Sequence, residues 1–312
     1  MKRVLITEGD AAGIGREIIL KALSDESVRK KANPLVIGSK KDFEKTFDML
    51  ISNGVLKEKF ELDIVDAIPE YNGKMGEISG FAGKNSYICV EKAVEMVKNG
   101  EGASICTAPV NKQSLREGGV PYIGHTEMLA ALSNVENPLT VFETNELRIF
   151  FFTRHIPFAK ISESIKEEPL YNFILRSEKA NVMLGKSEKP IAVAALNPHG
   201  SDGGLMGNEE KEIEKAVIRA RKAGVNAVGP IPADSVFSMC LEGKFSAVLS
   251  LYHDQGHIAA KTLDFNGTIS LTAGLPFLRT SPDHGTAFDI AGKGVANEKA
   301  MKLAILRAAS VF

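Results

Sequence analysis

Short apolar runs recur along the chain, each followed by a polar, turn-forming stretch and then by residues with helical spacing. Val4–Thr7, Leu35–Ile37, Ser104–Thr107, Ile149–Thr153, Ile191–Ala195 and Ala247–Leu251 have little polar alternation, the pattern of strands covered on both faces. Tyr87–Val97 and Glu209–Ala223 instead carry apolar residues three and four apart, the latter at Ile213, Ala216, Val217 and Ala220, which predicts amphipathic helices. A further helix is expected through Ile18–Leu23. Strands alternating with helices predict a mostly parallel α/β sheet. No repeat, low-complexity tract or compositional break marks a domain boundary.

Polar residues cluster just after these strands. Thr107–Lys112 (Thr-Ala-Pro-Val-Asn-Lys), Asn197-Pro-His199 and Tyr252–Gln255 (Tyr-His-Asp-Gln) read as loops at strand ends. In open α/β sheets ligands bind outside the carboxyl ends of strands, so such loops can converge on a cleft; Asn, Pro and Asp also simply make turns. Gly9–Gly15 (Gly-Asp-Ala-Ala-Gly-Ile-Gly) follows the first strand and opens a helix. Its G-x-x-x-G-x-G spacing departs from the dinucleotide fingerprint, and a tight strand-to-helix turn is the reading it supports better.

Composition narrows the classes. With 312 residues, 44% hydrophobic, the chain is long enough for two domains, and a formal net charge of -1 leaves no electrostatic footprint for nucleic acid or an anionic membrane. Cys89, Cys106 and Cys240 are odd in number and widely spaced, as expected of buried thiols in a reducing compartment. The apolar run after Met1-Lys2-Arg3 is broken at once by Thr7–Asp10, and no run is long enough to span a bilayer. A soluble, cytoplasmic protein is expected.

All six histidines fall after residue 120, and His155, His199 and His253 each lie just beyond a strand. That is where a metal site built from loops would draw its ligands, although hydrogen-bonded histidines lining a cleft or core are the alternative. Asp283–Asn297 (Asp-His-Gly-Thr-Ala-Phe-Asp-Ile-Ala-Gly-Lys-Gly-Val-Ala-Asn) describes a shaped loop. It looks like the NAD-binding loop of the isopropylmalate and isocitrate dehydrogenases.

Together with Pro121–Met128, His155-Ile-Pro157, Leu196–His199, Gly229–Asp234, Tyr252–Gly256 and Gly274–Arg279, these segments resemble, in order along nearly the whole chain, the 4-hydroxythreonine-4-phosphate dehydrogenases of pyridoxal phosphate biosynthesis. The resemblance implies a two-domain α/β fold like that of isocitrate and isopropylmalate dehydrogenases, with a cleft between domains. Residues 1–120 with 268–312 would form the domain with the NAD-binding loop, and 121–267 the domain with metal ligands and dimer contacts. It implies a homodimer whose active site is shared between subunits, and a divalent metal (zinc, magnesium or cobalt) on His155, His199 and His253. Substrate would be held by His125, Thr126, Lys261, Ser270 and Arg279. NAD, with NADP as the alternative carrier, would be held by His284, Gly285, Thr286, Ala287, Asp289 and Asn297. Asp234, Asp254 and Lys261 would supply or orient acid–base chemistry. The implied reaction oxidises 4-phosphooxy-L-threonine at C3, and the β-keto acid then loses carbon dioxide to give 3-amino-2-oxopropyl phosphate.

Three departures stand out. The family's prolines near Glu8 and Ala11 are absent, Ser270 replaces a substrate-contacting Asn, and His257 stands where an apolar residue is usual. Serine has fewer donors than asparagine, which keeps open a second substrate class, the four-carbon sugar-acid phosphates threonate or erythronate 4-phosphate. A non-catalytic nucleotide- or metal-binding protein is the third reading.

Overall fold

The computed structural model describes residues 3–185 and 188–310, and each apolar run picked out above belongs to a strand there. The strands are β1 (Val4–Thr7), β2 (Pro34–Gly38), β3 (Ile64–Asp66), β4 (Ser104–Thr107), β5 (Leu139–Thr144), β6 (Leu147–Phe151), β7 (Ile191–Ala194), β8 (Ala227–Ile231), β9 (Ala247–Ser250), β10 (Ile269–Ala273) and β11 (Leu278–Pro282). β6 begins and ends two residues earlier than the expected Ile149–Thr153. Its polar end, Thr153, instead bonds through Oγ1 to the Leu251 carbonyl at 2.7 Å.

The chain divides into two units, Met1–Pro138 with Ile269–Phe312, and Leu139–Thr268. The first boundary was expected between residues 120 and 121 and lies instead between Pro138 and Leu139. The reason is packing: Met128 and Leu129, on the helix His125–Leu132, are buried in one core with Leu5, Ile105 and Val90. Residues 121–138 therefore go with the first unit.

Strand order in the first unit is β3-β2-β1-β4-β11-β10, parallel except for β10 against β11. The expected helix at Tyr87–Val97 lies within Gly80–Lys98, whose Cys89, Val90, Ala93 and Val94 face the sheet core. Gly83 lets this helix touch the helix Lys112–Glu117: a Cβ there would sit 2.0 Å from the Ser114 carbonyl oxygen.

The second unit has the order β5-β6-β9-β7-β8, with β5 antiparallel to β6 and the rest parallel. The helix Glu209–Lys222 buries Ile213, Ala216, Val217 and Ala220, the stripe read from the sequence. Its first turn is acidic (Glu209, Glu210, Glu212) and its last turn basic (Arg219, Arg221, Lys222), which complements the helix dipole at both ends. Cys89, Cys106 and Cys240 are free and buried. Among the described residues no helix is long and apolar enough to cross a membrane.

Candidate active site

In the first unit the strand order reverses at β1, with β2 on one side and β4 on the other, the arrangement that opens a ligand crevice at the strand ends. Thr7 and Thr107 are register partners there. Arg279, on neighbouring β11, is 5% exposed, and its guanidinium donates to Thr107 Oγ1 (3.2 Å from Nε, 2.6 Å from Nη2) and to Thr272 Oγ1 (3.3 Å from Nη1). Burial lowers its pKa to about 10, which leaves it charged at neutral pH. The Asp283 carboxylate acts on it in the opposite direction, raising the pKa. A buried cation hydrogen-bonded to hydroxyls suits an anionic ligand, because bringing one in adds a charge interaction in a desolvated place.

Other residues of this unit expected at the substrate site lie near that cation. β10 and β11 pair Ser270 with Ser281 and Thr272 with Arg279, so all four side chains share one face of the ribbon. His125 opens the helix His125–Leu132, with Thr126 next to it. Its Nε2 is buried without a hydrogen-bond partner, and burial, with the nearby Arg279 charge, holds its pKa well below the ordinary histidine value. His125 is thus a neutral imidazole beside a buried guanidinium.

The absent prolines have a structural counterpart. Glu8 is fully buried and accepts from Ser39 N at 2.8 Å and from Arg16 Nη1 at 3.1 Å, while Arg16 Nη2 donates to the Ala11 carbonyl at 2.8 Å. One arginine therefore braces both departing positions. Asp42 lies 3.7 Å from the same guanidinium. Desolvation raises the Glu8 pKa to about 6.

The turn also backs residues 283–297. Gly13 faces Thr286, where a Cβ would come within 3.0 Å of the threonine Cβ, and Ile14 N donates to the Thr286 carbonyl at 3.1 Å. Glu17 accepts from Gly294 N (3.2 Å) and Ala296 N (2.6 Å), and Lys21 bonds to the Ala296 carbonyl. No strand or helix interrupts residues 283–297, and Ala287 has a positive φ of 44°. Gly285, Asp289 and Asn297 are exposed along this loop. His284 places Nδ1 2.9 Å from the Gly285 carbonyl, and its Nε2 is buried with no partner. That unused ring nitrogen is what a loop built around a ligand would leave.

In the second unit β6, β9 and β7 are adjacent and parallel, so His155, His253 and His199 all follow carboxyl ends on one edge. His155 and His253 come together, with ring centres 5.9 Å apart. Two imidazoles bound through nitrogen at ~2.0–2.1 Å to one ion have centres about 5–6 Å apart, so this pair fits a shared ion. His253 Nδ1 is 2.6 Å from Asp254 Oδ1, which leaves Nε2 to bind, the usual second-partner arrangement for a metal-bound histidine. Tyr252–Gln255, read as a loop, instead starts a helix at His253: β9 ends at Ser250, and extended Tyr252 is the cap of the helix.

His199 is placed differently. It begins six consecutive residues with positive φ: His199 (52°), Gly200 (66°), Ser201 (68°), Asp202 (42°), Gly203 (74°) and Gly204 (103°). Each non-glycine residue there costs roughly 1–2 kcal/mol. The turn is held by Glu210, buried, which accepts from Leu196 N (3.0 Å) and Asn197 N (2.7 Å), and by Ser201 Oγ donating to the Gly207 carbonyl (2.8 Å). No group of three metal-binding side chains forms within the chain among the described residues.

Asp234 is exposed in the first turn of the helix Ala233–Leu241, near Ser235. Lys261 lies with Nζ 5.1 Å above the Phe265 ring. Sequence reasoning missed two organising residues, Glu210 and Gln255. The Gln255 amide joins β9 to β7 by accepting from Leu251 N (2.7 Å) and donating to the Ala195 carbonyl (2.8 Å).

Residues 30–308 match the family model described as pyridoxal phosphate biosynthetic protein PdxA. The chain belongs to the PdxA family. This PdxA-family dehydrogenase is 47% identical, over 96% of its length and 94% of the relative's, to a Clostridium botulinum protein named "Putative D-threonate 4-phosphate dehydrogenase". It is 46% identical to a protein of the same name from Halalkalibacterium halodurans, covering 98% of this chain and 96% of that one. Among solved structures, a 4-hydroxythreonine-4-phosphate dehydrogenase from Klebsiella pneumoniae superposes with a TM-score of 0.88 at 35% identity, covering 100% of this chain and 99% of that one.

Proposed function

We propose that this PdxA-family enzyme oxidises threonate 4-phosphate with NAD at C3, the reading first held second to the amino-acid phosphate. The observation that carries the change is the higher identity, 47% against 35%, to proteins named for threonate 4-phosphate. Ser270 supports it: on the ribbon face shared with Arg279, a short hydroxyl suits a substrate hydroxyl, whereas the asparagine implied by the resemblance offers two amide donors and a carbonyl acceptor. The 4-hydroxythreonine phosphate reading rests on the overlay with the Klebsiella enzyme.

In this reading Arg279 binds an anionic end of the substrate, and neutral His125 with Thr126 hydrogen-bonds its polar groups. Residues His284, Gly285, Thr286, Ala287, Asp289 and Asn297 hold the nicotinamide cofactor, with the unpaired His284 Nε2 as an acceptor for a ligand donor. A divalent ion on His155 and His253, with His199 from a second subunit, would act as Lewis acid on the hydroxyl being oxidised. Asp254 orients His253, and Asp234 or Lys261 takes the hydroxyl proton. The hydride goes to NAD and leaves a 3-oxo acid. Loss of carbon dioxide and uptake of one proton then give dihydroxyacetone phosphate. The homodimer is supported by exposed apolar side chains on each histidine segment: Phe158 after His155, Leu205 after His199 and Ile258 after His253.

The test is NADH formation by metal-loaded enzyme with threonate, erythronate and 4-phosphooxy-threonine substrates. The expected kcat/KM for threonate 4-phosphate exceeds that for the amino-acid phosphate at least tenfold, and Ser270→Asn narrows the gap. A preference for the amine by the same margin overturns the assignment.

A further inference from the structure

The helix His253–Leu263 places His257 one turn after His253, and the two rings lie parallel, with centres 3.6 Å apart and planes 10° apart. His257 is gripped on its other sides. Phe142 meets it edge-on at 4.2 Å, Phe151 lies at 4.6 Å, and its Nδ1 is 2.9 Å from the His253 carbonyl. A carbonyl oxygen only accepts, so that nitrogen carries the hydrogen and the ring cannot flip without losing the bond. Phe142 and Phe151 are themselves buried in the core of the second unit, so the plate under His253 is anchored to the sheet.

His253 itself is half-exposed, and an exposed imidazole is free to rotate about two side-chain bonds unless something holds it. Asp254 fixes its Nδ1 edge, and the parallel ring of His257 fixes its plane. His257 is not placed to be a ligand to the same ion. Lone pairs of stacked parallel rings run side by side, so an ion at ~2.0–2.1 Å in the plane of one ring lies well out of the plane of the other. We infer that His257 is a positioning residue, an aromatic backing plate that holds the His253 imidazole in one plane beside His155 before any ion binds. This rests on the reading of His155 and His253 as metal ligands.

Cobalt(II) titration of the metal-stripped full-length protein, followed by visible d–d absorption, separates the two claims. Wild type is expected to bind, and His253→Ala to lose the band. His257→Leu fills the space between Phe142 and Phe151 without a flat face, and is expected to weaken cobalt binding about tenfold, the lower end for loss of a group that orients a ligand. His257→Phe keeps the plate and is expected to stay within about threefold of wild type. Thermal unfolding of each variant confirms that it is folded, and His257→Phe carries the comparison against His257→Gln if the leucine variant is not. Wild-type affinity in a folded His257→Leu or His257→Gln overturns the positioning role and leaves the metal reading intact. No cobalt band in wild type, or an unchanged band in His253→Ala, removes the metal reading and the positioning role with it.

Discussion

The first unit's substrate corner and the second unit's histidine edge are built on opposite terms. Around Arg279 the polar groups are buried, and the guanidinium is already oriented by three hydrogen bonds to hydroxyls on β4 and β10. Around His199 and His155 the side chains are exposed, and the His199 turn runs through left-handed backbone. The corner stores its cost as desolvation, the edge as backbone strain. In the proposed reading the difference teaches that the anion site would be complete within one chain, whereas the histidine edge would need an ion and a second subunit.

The largest effect expected is on the brace beneath the corner. Arg16→Met leaves Glu8 buried without its cation and should destabilise the protein by about 3–5 kcal/mol, measured by urea unfolding. A loss below 1 kcal/mol would mean that the pair adds little to the first turn. Next, Arg279→Met should lower kcat/KM by roughly two orders of magnitude, from about 3 kcal/mol of charge-assisted bonding. Because the native guanidinium is buried and desolvated, the same variant should melt at or above the wild-type temperature. Lower activity and lower stability together would show that Arg279 is structural.

A smaller effect concerns pH. The folded pKa of Glu8, about 6, lies above its unfolded value, so the native state binds the extra proton between roughly pH 4.5 and 6. Its contribution to stability is therefore full below pH 4.5 and is lost as the pH rises through 6, by about 2 kcal/mol. Unfolding free energies of wild type minus Glu8→Gln should fall across that window and then level; a flat difference contradicts the assignment. Smallest is Asp202→Gly, expected to raise stability by about 1 kcal/mol by relieving left-handed strain, whereas Ser201→Gly also loses the buried bond to the Gly207 carbonyl and should not stabilise. A destabilised Asp202→Gly would mean that contacts of the Asp202 side chain hold the turn instead.

The same contrast explains what could be read from the sequence. β1, β4, β7 and β9 are short apolar runs buried on both faces, and such runs announce themselves. β11 does not: Arg279, Thr280 and Ser281 are polar yet buried, Arg279 and Ser281 on the face of the corner and Thr280 donating to the Ala304 carbonyl on the other, and polarity disguised the strand. β8 contains Gly229 and Pro230, which argue against a strand locally. The histidines were legible as strand-end residues, since that depends on chain order alone. The left-handed turn at His199 was not, because Ser201 and Asp202 have no intrinsic preference for it and tertiary bonds from Glu210 and Asn197 impose it. Nor was the Glu8–Arg16 pair, which depends on how the Gly9–Gly15 turn folds back.

The most direct test of the account is a product balance. Metal-loaded enzyme given threonate 4-phosphate and NAD is predicted to release NADH, carbon dioxide and dihydroxyacetone phosphate in equal amounts, by absorbance, trapped carbonate and a coupled triose-phosphate assay. NADH formed only from 4-phosphooxy-threonine, or none from any of the phosphorylated four-carbon acids, would contradict it.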